Sequence, residues 1–353
     1  FLGTVMKKLF SLLLVLLLIS GCEEMLLGPN EDNPKSNFEA LWNTLDKSYA
    51  LFPAKKVNWD QLHSFYGNKI TSSTSQDELW DICGDLVRTL DDGHVVLFNK
   101  GLTNATFSTS VFTRPLGDFN LDFIKSKYLD NVQSAGDGMI TYGKIKPAFS
   151  NLKIGYINIK ALAASSKRQH WPLDLAQVLN DLSDSDAMII DLRNVGGGLK
   201  TNVPIFSSFF VDREFTYFYQ QEKTGPGHFD FGERFPLSVS PNTAGTTFTK
   251  KIALLTNRFS ASAAEHTSQI FKYLPYATQI GDTTEGAFGD VVTRGELPNG
   301  WTFLYPIRLT KTPEGFCPEG VGIAPDIYQP NTKQDIDMGI DKVMNRALEH
   351  LSK

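Results

Sequence analysis

Ile252-Ala253-Leu254-Leu255-Thr256-Asn257-Arg258-Phe259-Ser260-Ala261-Ser262-Ala263-Ala264-Glu265 carries a short apolar stretch straight into serines and small residues. Ile252 to Leu255 reads as a buried strand. Thr267, Ile270, Phe271 and Leu274 then fall at helical spacing, and Pro275 stops the helix. A strand ending in such a turn can expose a hydroxyl beside backbone amides able to stabilise a developing oxyanion. The same letters carry a second reading. Ser262-x-x-Glu265 is a capping box, in which serine and glutamate satisfy orphan amides and do no chemistry.

A similar strand-to-turn pattern lies upstream, in Met188-Ile189-Ile190-Asp191-Leu192-Arg193-Asn194-Val195-Gly196-Gly197-Gly198. Three consecutive glycines allow backbone conformations closed to other residues and let a substrate approach the amides. Neither phosphate-binding fingerprint fits: Leu199 stands where GxxxxGK[ST] needs glycine, and Thr201 stands where GxGxxG ends. The glycines make either a plain tight turn or half of an oxyanion hole. Around them the pattern alternates: strand Ile154 to Ile159, helix Pro172 to Leu182, strand Ala187 to Leu192, helix Thr201 to Phe210. A strand-rich stretch from Phe215 to Phe248 precedes the Ile252 strand. This β-α-β-α-β order predicts a mostly parallel sheet with helices packed on it.

The first hundred residues differ in character. Met6-Lys7-Lys8, the apolar run Leu9 to Ile19 and Leu18-Ile19-Ser20-Gly21-Cys22 resemble a bacterial lipoprotein signal with its lipobox, spanning residues 1–22. Cys22 is then the expected lipidation site, which would put the protein on the bacterial cell envelope. Residues 23–37, polar and holding Pro29 and Pro34, read as a flexible tether. Stripes at Phe38/Leu41/Trp42/Leu45, Trp59/Leu62/Tyr66 and Leu79/Ile82/Leu86/Leu90 predict three helices in an N-terminal subdomain, residues 38–98. Residues 99–152 read as a connecting β-rich segment, with alternation over Ala105 to Phe112 and a helix over Phe119 to Asn131. The main β/α core is assigned to residues 153–345.

Composition narrows the function classes. Charged residues make up 21% and the net charge is −5, with no concentrated basic stripe, so nucleic acid is not an expected partner. Besides Cys22 only Cys83 and Cys317 remain; they specify no disulfide framework, though an oxidising compartment could pair them. No CxxC or HExxH occurs and the six histidines are scattered, so neither metal nor cofactor is expected. Phenylalanine is frequent, 25 residues, and its concentration between Phe206 and Phe248 fits a well-packed core or an apolar substrate groove.

Two further residues stand in suggestive settings. His94 follows Asp91-Asp92-Gly93 at the mouth of the short strand Val95 to Phe98. Glu319 is the one carboxylate in Cys317-Pro318-Glu319-Gly320-Val321-Gly322-Ile323-Ala324-Pro325, a loop pinned by glycine and proline. It could orient a histidine or bind a peptide terminus, or be a surface turn. His266, four residues beyond Ser262, points away from the helix start.

In order, DGH, IIDLRNVGGG, NRFSASAAE, GDTTEGAFG and EGVGIAPD resemble the motifs of the tail-specific (C-terminal-processing) serine peptidases and of the tricorn protease core. The resemblance covers about residues 38–326. It implies an N-terminal helical subdomain followed by a spiral β/α core like that of crotonases and Clp proteases. It also implies Ser262 as nucleophile, and the amides of Ala263 and of Gly196 or Gly197 as oxyanion hole. The lysine-dependent branch places its base in the segment that here reads Gly281 to Gly289, where Ala287 replaces the lysine. The tricorn-like branch uses the histidine of the early motif, steadied by a neighbouring serine and a distant glutamate. His94 and Glu319 match that pattern, whereas Gly93 replaces the serine. The expectation is a serine endopeptidase anchored to the envelope, acting on peptide or unfolded protein. Two rivals are a catalytically degenerate relative that holds peptides or hydrophobic ligands, as retinoid-binding relatives do, and a crotonase-type acyl-CoA enzyme.

Overall fold

The computed structural model describes residues 31–99, 105–107, 117–243 and 245–353. The expected signal segment and lipobox with Cys22, and the first part of the expected tether, lie outside the described residues, as does part of the Ala105 to Phe112 alternation. The chain forms two compact units. One comprises Phe1–Thr109, Lys223–Asp230 and Val291–Ile307; the other comprises Ser110–Glu222, Phe231–Asp290 and Arg308–Lys353.

Among the described residues the first unit holds three α-helices, α1 (Pro34–Ser48), α2 (Trp59–Gly67) and α3 (Gln76–Arg88). Helix α1 begins inside the segment read as tether. Asn33 caps it by accepting from the Ser36 amide at 2.9 Å, and Pro34 fits the first turn, where no amide donor is needed. Ser75 and Glu78 form a reciprocal cap on α3. Phe38, Leu41, Leu45, Leu79, Leu86 and Leu90 are all fully buried, so the apolar stripes do face a core. Strand β1 (Val96–Phe98) pairs antiparallel with β2 (Ala105–Phe107) and with the start of β12 (Thr302–Lys311). Residues 223–230 and 291–307 were not separable from the core by sequence, yet they fold here. His228 stacks on Phe52 at 4.1 Å and its Nε2 lies 2.9 Å from Asp46.

The second unit is built on a sheet of seven strands, ordered β13-β10-β9-β6-β5-β4-β3. Their ranges are β3 Leu129–Ala135, β4 Ile140–Ile145, β5 Ile154–Ile159, β6 Ala187–Asp191, β9 Lys251–Thr256, β10 Ala277–Gly281 and β13 Ile327–Tyr328. Pairing is parallel from β13 to β5 and antiparallel through β4 to β3. Every residue of β5 and β6 is buried, and alternation decides the face. Met188, Ile190, Ile252 and Leu254 pack with α5 (Leu175–Asp181), α6 (Asn202–Ser207) and α7 (Ala263–Lys272). Ala187, Ile189, Ala253 and Leu255 pack with α4 (Leu121–Tyr128) and α9 (Lys342–Leu351). Also in this unit, the end of β12 pairs with β7 (Phe215–Glu222), which pairs with β8 (Phe235–Val239). Two further elements are β11 (Asp290–Glu296), which pairs with β12, and α8 (Lys333–Asp337).

Three expectations change here. The helix expected over Phe119 to Asn131 ends at Tyr128, and the chain continues as β3. Residues 99–152 are not merely connecting, because β3 and β4 belong to the main sheet. The core also runs past residue 345, to the buried Leu351 of α9. The phenylalanines at 206, 209, 210 and 218 fill the core. Cys83 is a thiol without a disulfide, and burial pushes it up to about 12.

Candidate active site

Strands β6, β9 and β10 are parallel neighbours, so the loops leaving their C-terminal ends start side by side. Open parallel sheets place their ligands at that edge. The β6 loop carries the glycines, the β9 loop carries Ser262, and the β10 loop runs through Thr284 to Phe288. Hydrogen bonds stitch the three together. Asn257 Oδ1 accepts from the amides of Asn194 (3.0 Å) and Phe259 (3.1 Å), and its amide nitrogen donates to Asn194 Oδ1 at 2.7 Å. The Ala261 amide donates to the Val195 carbonyl at 2.9 Å. Ser260 is fully buried: its hydroxyl donates to the Leu192 carbonyl at 2.9 Å and accepts from the Asn257 amide at 3.0 Å. Behind the glycine loop, Arg193 is buried between Asp191 and Asp341, the cap of α9, which anchors that strand end.

Ser262 is half-buried and has φ 51° and ψ −115°, a region that non-glycine residues rarely occupy. Glu265 holds that turn. Its fully buried carboxylate accepts from Thr284 Oγ1 (2.6 Å) and from the amides of Gly286 (2.7 Å), Ala287 (2.8 Å) and Ser262 (2.9 Å). Burial pushes the carboxyl up to about 7, against the pull of those four donors. The glutamate half of the capping box is therefore real, but it does more than cap, since it ties the serine turn to the β10 loop. The Glu265 amide donates to the Ser262 carbonyl at 2.8 Å, so this donor is satisfied by backbone and does not depend on the hydroxyl.

The glycines separate by environment. Gly197 is buried with φ +106°, and a Cβ there would come within 2.8 Å of Ser262 Cβ, 3.0 Å of the Ala261 carbonyl oxygen and 3.3 Å of the Ala263 nitrogen. Its own carbonyl accepts from the Leu162 amide at 2.8 Å, which fixes the peptide. Gly196 is exposed, and a Cβ there would meet nothing within 4 Å. Of the two expected donors, Gly197 is thus the one placed against Ser262 and Ala263. Gly197→Ala should lower kcat by about 10²-fold or more, with Gly196→Ala within about tenfold of wild type. Steady-state turnover of an unfolded protein checks this, and wild-type kcat in Gly197→Ala would contradict it.

Other residues fall into place around the serine. Ala287 is buried and gives its amide to Glu265, so the position matching the family's lysine is structural here. Glu319 is buried, not a surface turn, and accepts from the Phe288 amide at 2.7 Å. Lys200, which follows the glycine run, pairs with Asp290 and donates to Gln220 Oε1 at 2.5 Å. His266 is buried among Tyr217, Phe218 and Phe288. Among the described residues no group of histidine, cysteine and carboxylate side chains could hold a metal.

His94 belongs to the first unit, in the turn between α3 and β1. Its amide donates to Asp92 Oδ1 at 2.8 Å, and its Nδ1 lies 3.3 Å from the same oxygen. Asp92 is buried and also accepts from the Tyr49 hydroxyl at 2.9 Å. In the sequence Asp92 is only one acid of a glycine turn and Glu265 only the acid of a capping box. The signal for Asp92 was present in its spacing of two from His94, which suits a side chain folding back on the next turn.

The Tricorn protease C1 domain matches residues 30–88. Carboxy-terminal processing protease CtpB of Bacillus subtilis is 24% identical over 255 residues, covering 71% of this chain and 48% of the relative. A CtpA-like serine protease of Staphylococcus epidermidis is 31% identical over 140 residues, 40% of this chain and 27% of the relative. The chain therefore spans half or less of the length of these curated relatives. The crystal structure of a candidate peptidase from Parabacteroides merdae superposes with a TM-score of 0.81 at 26% identity, covering 92% of this chain and 98% of that one. The α/β fold with its N-terminal helices is thus a shared one. Peptidase family S41 matches residues 153–329, just over half of the chain and all three loops of the site, so this chain belongs to peptidase family S41, a family of serine peptidases.

Proposed function

We propose that this chain is a serine endopeptidase, held on the cell envelope by a lipid at Cys22, that cleaves peptide or unfolded protein through an acyl-enzyme on Ser262. The observation that carries this reading is the serine turn. Ser262 sits in a strained conformation held by Glu265, with Gly197 pressed against it and the Ala263 amide at the start of α7. In the proposed reaction His94 takes the hydroxyl proton, and Ser262 Oγ attacks the peptide carbonyl. The amides of Gly197 and Ala263 stabilise the oxyanion. The imidazolium then protonates the leaving amine, and water hydrolyses the acyl-enzyme. Glu319 is assigned as the distant carboxylate that steadies His94, as in the tricorn-like pattern. Steady release of fragments from an unfolded protein such as casein, absent in Ser262→Ala, is the test. Stoichiometric binding without turnover at high protein concentration would favour the ligand-holding alternative.

The anchor is a separate proposal, resting on the lipobox-like sequence alone. Wild-type protein expressed in bacteria should partition with membranes and carry diacylglycerol mass on Cys22, and Cys22→Ser should appear in the soluble fraction. Soluble, unmodified wild type would contradict it. No described helix is long and apolar enough to cross a membrane.

A further inference from the structure

We propose that Asp92 is a positioning residue for His94, holding the imidazole by Nδ1 in the place where the tricorn-like pattern has a serine. The inference rests on the assignment of His94 as base. Asp92 Oδ1 receives the His94 amide at 2.8 Å and lies 3.3 Å from His94 Nδ1, so a single oxygen sets both the backbone turn and the ring. The other oxygen is locked by the Tyr49 hydroxyl at 2.9 Å, from the C-terminal end of α1. Asp92 and Tyr49 are both buried, whereas the His94 side chain is only partly so. The chain Tyr49–Asp92–His94 thus runs outward from the core of the unit to the imidazole.

The charge state agrees. Burial alone would raise Asp92, but the hydrogen bond and charge of His94, helped by the Lys55 ammonium, hold it below the usual carboxylate range. The titratable and charged groups that bear on Asp92 include Tyr49 at the end of α1, Lys55 from the loop after it, and His94, with Asp91 next to it in the chain. Lys55 donates to the Asp91 carbonyl at 2.9 Å, which holds its side chain beside the turn. An ionised Asp92 does two things. It selects the tautomer with hydrogen on Nδ1, leaving Nε2 as the proton acceptor, and it stabilises the imidazolium formed in the reaction. A glycine at position 93 is then no vacancy in the relay, because the orienting group is one residue earlier.

Asp92→Asn separates positioning from structure. The asparagine oxygen can still accept from the His94 amide, and its NH2 group can donate to the Tyr49 hydroxyl oxygen, so the turn survives, but the charge at Nδ1 is lost. The expected result is a fall in kcat of about 10³- to 10⁴-fold with a melting temperature close to wild type. A ¹H–¹⁵N NMR titration of His94 in the Ser262→Ala background should show its proton lost at lower pH in Asp92→Asn, by about one unit or more. Tyr49→Phe should cost less, since it loosens Asp92 without neutralising it. If His94→Ala is inactive while Asp92→Asn keeps near-wild-type kcat and an unmoved His94 titration, this inference fails and the base assignment stands. If His94→Ala itself retains activity, the base assignment fails instead.

Discussion

Ser262→Ala should lower kcat by about 10³-fold or more while leaving the fold intact. Both halves of that result follow from the turn. Alanine at φ 51° is no more strained than serine there, and the bond from Glu265 to the residue 262 amide is kept. The Glu265 amide keeps its carbonyl partner as well. Ser260→Ala should behave in the opposite way. That hydroxyl is buried and makes two hydrogen bonds, to the Leu192 carbonyl and from the Asn257 amide. Its loss should cost about 1–3 kcal/mol of stability and reduce activity less than Ser262→Ala does. Thermal melts and steady-state kinetics on the two variants decide it. A Ser262→Ala enzyme that loses about 1 kcal/mol and keeps its activity would return the residue to a plain helix cap.

His94→Ala should cost nearly as much, because nucleophile and base act as a unit. In the wild type, activity should rise with pH through the range where an imidazole loses its proton, since only the neutral ring can accept from the serine. Glu265 titrates nearby, and the two effects differ in sign. Its carboxyl is raised to about 7, above its ordinary value of 4.5, so the folded form holds the proton more tightly than the unfolded chain does. Its contribution to stability is fully present below about 4.5 and declines as pH rises towards 7. Activity and melting temperature should therefore move in opposite directions across that window. A His94→Ala enzyme with wild-type activity and an unchanged profile would require another base.

The loops that carry Gly197 and Ser262 were legible because their signals are local. An apolar strand, a run of small residues and a helical stripe all lie within about twenty residues of one another in each case. The helices of the first unit were readable for the same reason. Strand β3 was not, because Leu129–Ala135 is an edge strand with five exposed residues in its middle, so it lacks an apolar alternation. The assignment of residues 223–230 and 291–307 to the first unit rests on contacts such as His228 with Asp46 and Asn299 with Asn37, which are far apart in sequence. Asp92 and Glu265 show the same limit within the site. Glu265 looked like a cap because Ser262 is three residues away, while its partners Thr284, Gly286 and Ala287 lie on another loop. Asp92 looked like part of an acidic turn because Tyr49, its buried partner, lies 43 residues upstream. Gly196 and Gly197 could not be told apart by letter; only Gly197 lies against the Ser262 turn once the chain is folded.

The central claim is that the Ser262 hydroxyl is the nucleophile, and a fluorophosphonate tests it most directly. The folded protein should be treated with the probe and digested, and the adduct located by mass spectrometry. One adduct should form, on Ser262, together with loss of peptidase activity, and it should be absent both in Ser262→Ala and in unfolded wild type. An adduct on a different serine, or an active enzyme that retains full activity with Ser262 unmodified, would contradict it.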